Sequence, residues 1–141
     1  MKAIGIDIGT TSICLVLYDP ENGRIEESAG APNEFLEGGF RQDADRIVSV
    51  IKEKLDWLLD RNADVGVIGV SAQMHGILYV NREGWALSPY YTWKETCRET
   101  LFEGLDAAQW LSRRTNYPIY AGYGTATHFA LDKRGEIPSG A

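Results

Sequence analysis

The sequence predicts a mixed α/β fold, in which a three-stranded antiparallel meander precedes a helix and a buried strand. Short apolar runs at residues 4–7 and 12–19 flank a Gly-Thr turn, and an Asn-Gly turn leads to a half-exposed run at residues 24–29. Helical periodicity follows, and a β-branched run comes after it. This order differs from the alternating strands and helices of a dinucleotide-binding domain.

Later elements are predicted with the same rules. Residues 42–62 place Ile47, Ile51 and Leu58 on one helical face, and acids beside residue 42 favour the helix start. Residues 65–70 are β-branched and broken only by glycines, which predicts an interior parallel strand covered on both faces. The remaining predictions are a hairpin over residues 77–80 and 85–88, and helices over residues 94–105, 107–114 and 125–133 with Thr125 as a candidate cap.

Composition indicates one ordinary globular domain and excludes several function classes. The 141 residues are 44% hydrophobic, which is enough for a core. The net charge of −6, without any basic run, argues against nucleic acid as a partner. No apolar run approaches the roughly 20 residues that cross a bilayer, and no signal-peptide layout is present. A cytoplasmic location without a membrane partner is therefore expected.

The cysteines do not suggest a metal centre. Cys14 and Cys97 lie far apart in sequence, without a C-x-x-C motif or a histidine pair nearby, so a zinc site is not expected. Cys14 falls within an apolar strand and is predicted to be a small buried hydrophobe. Cys97 is predicted to be partly exposed, and nothing near it marks an activated thiol.

An acid at the end of the first strand is followed at once by a glycine and two threonines: Asp7, Gly9, Thr10 and Thr11. Glycine lets the backbone approach a phosphate, while the turn's N–H groups and the threonine hydroxyls can donate to phosphate oxygens. The carboxylate can hold Mg²⁺, usually through water. No P-loop motif occurs in the chain. The alternative is a plain β-hairpin with a Gly-Thr turn.

Polar side chains also follow the β-branched strand, at the strand end where ligands gather in open α/β sheets. Gln73 and His75 offer the donors and acceptors that a polyhydroxy ligand requires, and Met74 offers an apolar wall. The alternative is a polar turn between strands.

Two further segments contain candidate ligand contacts. Trp93 beside Glu95 is a pairing suited to sugars, because the ring packs on C–H faces and the carboxylate accepts from hydroxyls; the alternative is a core tryptophan at a helix start. Residues 122–127, Gly-Tyr-Gly-Thr-Ala-Thr, lack the last glycine of a dinucleotide fingerprint and are interpreted as a loop entering a helix. Tyr123 in that loop is either a ligand contact or a surface aromatic.

Taken in order, these segments resemble the N-terminal portion of the FGGY-family carbohydrate kinases, which belong to the ribonuclease H-like, actin-like ATPase superfamily. The opening motif alone is also similar to actin, chaperone ATPases and acetate kinases. Gln-Met-His-Gly at residues 73–76 discriminates further and resembles the ketose kinases, xylulokinase and sedoheptulokinase, and the segment at residues 122–127 leans toward sedoheptulokinase. An ATPase or a non-catalytic ligand-binding module of the same superfamily is the alternative.

The resemblance implies a ribonuclease H-like partial domain, a mixed sheet with flanking helices, formed by residues 1–141 as the N-terminal part of the first kinase domain. It implies ATP, Mg²⁺ and a ketose as ligands, with the catalytic base and the second domain beyond this chain. Negligible kinase activity and self-association through the uncovered face are expected of the chain alone. The implied phosphate and Mg²⁺ residues are Asp7, Gly9, Thr10 and Thr11; the sugar residues are Gln73, Met74 and His75, with Trp93, Glu95 and Tyr123 as secondary contacts.

The sequence departs from the family pattern in one segment. Relatives have Trp-x-Asp followed by an arginine two residues on, whereas here Trp93 and Lys94 precede Glu95, and the arginine is Arg98. The acid is longer by one methylene, and the arginine is displaced by one position.

Overall fold

The computed structural model describes residues 1–141, which divide into two compact units. Unit 1 comprises Met1–Glu34 and Asp45–Gln73, and unit 2 comprises Phe35–Ala44 and Met74–Ala141. None of the helices has the length and apolarity that crossing a membrane requires. In chain order the elements are β1 (Lys2–Ile8), β2 (Ser12–Asp19), β3 (Arg24–Pro32), β4 (Arg41–Gln42), α1 (Ala44–Leu59), β5 (Val65–Ala72), β6 (Tyr90–Tyr91), β7 (Leu101–Phe102), β8 (Leu105–Asp106), α2 (Ala107–Thr115) and α3 (Gly124–Arg134).

Unit 1 is a four-stranded mixed sheet with the order β3-β2-β1-β5. The β1-β2 and β2-β3 pairs are antiparallel, and β5 is parallel to β1. The predicted meander and the predicted parallel strand are therefore confirmed. The register places Asp7 beside Cys14 on β2 and beside Ser71 on β5.

The core of unit 1 lies between one sheet face and α1. Alternate residues of β1 and β2 are buried, including Ile4 and Leu15, and Leu58 of α1 completes the cluster. Because strand side chains alternate between faces, Asp7 and Cys14 lie on the opposite face. Cys14 is exposed, so its predicted burial is wrong.

The prediction that β5 is an interior strand is also wrong. β5 is the edge of the sheet, and Val67 and Val70 are 54% and 66% exposed. A β-branched run reports a strand, but it does not report how many neighbours the strand has.

Unit 2 has a small core around Cys97, Ala108 and Ala130. Cys97 is 2% exposed, so its predicted partial exposure is wrong, and burial raises the pKa of its thiol. The predicted hairpin over residues 77–88 is reduced to isolated bridges, Ile77 with Tyr91 and Val80 with Ala86.

The predicted helix over residues 94–105 is wrong as well. A tight β7-β8 hairpin takes its place, with Glu103 and Gly104 at φ 53° and 79°. Positive φ at both central residues is the geometry of a two-residue hairpin turn and ends any helix. Helix α2 follows at once, and Asp106 and Gln109 form a capping box at its N-terminus.

Candidate functional site

The turn between β1 and β2 carries the predicted phosphate residues of unit 1. The Gly9 N–H donates to the Ser12 carbonyl at 2.9 Å, which closes the turn. A Cβ at Gly9 would lie 3.0 Å from that same carbonyl oxygen, so this position has little room. Asp7 and Thr11 are exposed, whereas Gly9 and Thr10 are partly buried.

Asp7 lines a shallow depression of about 430 Å³ on the sheet face opposite α1. Glycines of neighbouring strands, Gly5 and Gly69, form part of its floor, with Cys14, Val16 and Ser71 beside them. A floor of small residues beside a carboxylate leaves space for a ligand above the strand ends.

Sequence reasoning missed Asn33, which follows β3 and is 6% exposed. Its backbone N–H donates to the Thr11 carbonyl at 3.0 Å. Its side-chain amide donates to the Gly9 carbonyl at 2.8 Å. The only sequence signal for Asn33 is that a polar residue directly follows the third strand.

The residues of this turn fit a magnesium ion that arrives with nucleotide phosphates. No cluster of three or more His, Cys, Asp or Glu side chains is arranged to hold a metal by itself. Mg²⁺ ordinarily keeps several waters and binds through one or two carboxylates plus substrate phosphates. The exposed Asp7 carboxylate, next to threonine hydroxyls, matches that donor set.

In unit 2, the structure brings together two predicted sugar residues. The rings of His75 and Tyr123 stack, with their centroids 4.3 Å apart and an interplanar angle of 13°. Tyr120 meets Tyr123 edge-on at 5.5 Å. His75 is exposed and has φ 66°, a left-handed conformation that a non-glycine residue adopts only at a cost.

The glycines next to the stacked residues have no room for a Cβ. A Cβ at Gly122, which has φ 88°, would overlap the Trp93 carbonyl oxygen, and a Cβ at Gly76 would overlap the Tyr90 phenol. Burial raises the pKa of Tyr90, and a hydrogen bond with the Gly76 backbone partly lowers it. The glycine-rich segment is therefore a close-packed loop that enters α3. Thr125 does not cap that helix, because the N-cap position is Tyr123.

The divergent segment around Trp93 makes its own cation contacts. Trp93 is 44% exposed and does not begin a helix. The Lys94 ammonium lies 5.5 Å from the centroids of both Phe35 and Trp93 and 5.8 Å from that of Phe40. The Glu95 carboxylate lies 3.7 Å from Arg41 Nε.

The other predicted sugar residues are distributed over both units. Met74 belongs to unit 2 and is 68% exposed. Gln73 belongs to unit 1, where its backbone N–H donates to the Ile8 carbonyl at 2.8 Å. The Glu95 carbonyl accepts from the Thr127 hydroxyl at 3.2 Å, which ties the divergent segment to α3.

A comparison with models of protein families identifies the family of this chain. The model of the FGGY family of carbohydrate kinases, N-terminal domain, matches residues 2–128. The chain belongs to this family. The match includes the Asp7 turn and both members of the His75-Tyr123 stack. No curated protein sequence matches the chain significantly.

Solved FGGY structures are similar to nearly the whole chain. Crystal structures of a ligand-bound xylulose kinase and of a gluconate kinase, both from Lactobacillus acidophilus, each have a TM-score of 0.81 and 25% identity, over 99% of this chain and 30% of theirs. Plasmodium falciparum glycerol kinase with ADP shares the fold, with a TM-score of 0.68 and 21% identity, over 94% of this chain and 28% of that one.

The fold is accordingly the ribonuclease H-like, actin-like ATPase fold of the FGGY kinases, present in part. The chain spans 30% of the length of the two Lactobacillus kinases. The family consists of ATP-dependent sugar kinases.

Proposed function

We propose that this chain is the N-terminal sugar- and phosphate-binding part of a cytoplasmic, ATP-dependent ketose kinase. The observation that carries the proposal is His75 in a chain of the FGGY family: the residue is exposed, its backbone is held at φ 66°, and its ring stacks on Tyr123. Backbone strain of this kind persists only where the surrounding structure holds it in place, and such residues cluster at ligand sites. The strained residue also lies within the Gln-Met-His-Gly segment that resembles the ketose kinases.

The two units are assigned different ligands. In unit 2, His75, Tyr123 and Trp93 contact the sugar, since rings pack on C–H faces and the imidazole exchanges hydrogen bonds with hydroxyls. Met74 and Glu95 are secondary contacts. In unit 1, Asp7, Gly9, Thr10 and Thr11 receive the phosphates and Mg²⁺.

These residues act by binding and orientation. The turn donates hydrogen bonds to phosphate oxygens, and Asp7 would hold a hydrated Mg²⁺, which would supply positive charge beside the transferred phosphoryl group. The sugar residues hold one hydroxyl for in-line attack. The base that accepts the hydroxyl proton is not among these residues.

A ketose titration followed by two-dimensional ¹H–¹⁵N NMR tests this function. We expect D-xylulose or sedoheptulose to shift the amide signals of residues 74–76 and 122–124, with weak affinity because the chain supplies one wall of the pocket. Sorbitol is the control for nonspecific polyol effects. If gluconate alone shifts these signals, the ligand is a sugar acid and not a ketose. If none of the sugars shifts them, the sugar-binding role is contradicted.

We also propose that the chain self-associates through the free edge of β5. Residues 65–72 carry no charge, and Ile68 and Val70 are 44% and 66% exposed. An uncharged edge strand can pair antiparallel with its own copy without placing like charges opposite each other. The other edge, β3, is protected by charged residues such as Arg24 and Glu26.

Val70→Lys is expected to prevent this association, because a charge on an edge strand blocks strand pairing. Sedimentation velocity should show concentration-dependent dimers of the wild-type chain and monomers of the variant. Ile25→Lys, on the opposite edge strand where Ile25 is 61% exposed, is the control that should still associate. A wild-type chain that stays monomeric at about millimolar concentration would contradict the proposal.

A further inference from the structure

We infer that Asn33 is a positioning residue for the phosphate turn, which it prepares by holding two carbonyl oxygens of the turn. This inference rests on the proposed phosphate-binding role of residues 9–11. Asn33 contacts the turn from the end of β3, at a site only 6% exposed. It donates to the Gly9 carbonyl through Nδ2 at 2.8 Å and to the Thr11 carbonyl through its backbone N–H at 3.0 Å.

The chemistry of a phosphate site explains why these carbonyls need donors. A phosphate is attracted by N–H and O–H groups and is repelled by the negative end of a carbonyl dipole. A turn that binds phosphate must therefore direct its carbonyl oxygens elsewhere. The Gly9 and Thr11 carbonyls are held by Asn33, and the Ser12 carbonyl accepts from the Gly9 N–H at 2.9 Å.

A simple hairpin would not need this arrangement. The β1-β2 ladder runs to the Ile8–Ile13 pair, and the backbone bond from Asn33 to Thr11 continues the β2-β3 register past the Ser12–Pro32 pair, so the ladders account for every bond here except the side-chain bond to Gly9. The amide of Asn33 reaches beyond the ladder, to the residues between the strands. Its effect is to fix the turn before a ligand arrives, which removes an ordering cost from binding.

Two variants separate positioning from charge. Asn33→Asp keeps the size and the backbone N–H but loses the amide donor and adds a negative charge, whereas Asn33→Leu loses the donor without a charge. We expect both to weaken binding of Mg-ADP to the full chain about five- to tenfold, the range of one hydrogen bond. Both should also increase the backbone mobility of residues 9–11 in ¹⁵N relaxation measured without ligand.

Asn22→Asp is the matched control. Asn22 donates through Nδ2 to Asp19 at 2.9 Å in the exposed β2-β3 turn, so the same chemical change occurs away from the site. This control should bind Mg-ADP as the wild type does. Wild-type affinity in Asn33→Leu, or weakening in Asn33→Asp alone, would overturn the inference.

The two measurements distinguish this inference from the proposed function. If the wild-type chain fails to bind Mg-ADP, the phosphate role of the turn is refuted. The positioning role of Asn33 is then judged from relaxation alone, and it fails if residues 9–11 stay equally ordered in both variants.

Discussion

Replacing Gly122 with alanine is expected to destabilise unit 2 by about 2–5 kcal/mol, the sum of a left-handed backbone penalty and an overpacking penalty. Gly122 has φ 88°, and a Cβ there would overlap the Trp93 carbonyl oxygen. A backbone atom cannot rotate away as a flexible side chain can. The loop that presents Tyr123 must then shift, and the stack on His75 is lost. Urea unfolding followed by tryptophan fluorescence measures the effect.

Gly84→Ala is the matched control for this variant. Gly84 has φ 85°, almost the same conformation, but nothing lies within 4 Å of a Cβ built there. Its alanine variant carries only the left-handed penalty, about 1–2 kcal/mol. The difference between the two variants isolates the close approach to Trp93. Equal losses of stability in both would show that no such close approach exists in solution.

The first half of the fold could be predicted because its signals are local. The alternation in β1 and β2 and the helical period of α1 each place apolar residues on one face, and the structure buries those residues together. The position of β5 in the sheet could not be predicted from local sequence. Residues 65–72 have the composition of a covered strand, yet the sheet ends there. Composition reflects the environment that a strand needs, whereas the number of its neighbours depends on the other strands available to it.

The helix predicted after Trp93 was wrong for a different reason. Residues 94–105 are rich in helix-forming side chains, and propensity alone favours a helix. Left-handed backbone at Cys97, Glu103 and Gly104 breaks that region instead. Only Gly104 announces such a conformation in sequence, because glycine adopts positive φ without a steric cost. Tertiary context determines the other two.

The candidate site shows the same division between local and nonlocal information. The sequence identified His75 and Tyr123 as separate candidates by residue type and family resemblance, but their stacking joins two segments that are far apart in the chain. Asn33 was missed because its partners, Gly9 and Thr11, lie on a different strand connection. A hydrogen bond between distant segments has no periodic signature that sequence reasoning could use.

Removing the His75 ring is expected to abolish detectable ketose binding, a loss of at least about tenfold, because a site built to hydrogen-bond hydroxyls binds poorly once a partner is missing. His75→Ala and His75→Gly should lose binding equally in the NMR titration. His128→Ala is the control, since the only other histidine lies on α3, where its Nδ1 is 2.8 Å from the Tyr79 hydroxyl. That variant should bind ketose as the wild type does.

The same variants should separate in stability. Both lose the stack on Tyr123, which is worth about 0.5–1.5 kcal/mol, but only alanine keeps the penalty of φ 66°. His75→Gly should therefore be more stable than His75→Ala by about 1 kcal/mol in urea unfolding. If His75→Gly is more stable than His75→Ala and neither variant binds ketose, the left-handed backbone at this position costs stability and is maintained to place the imidazole for binding. Wild-type affinity in either variant would remove His75 from the sugar site, and with it the observation on which the ketose proposal depends.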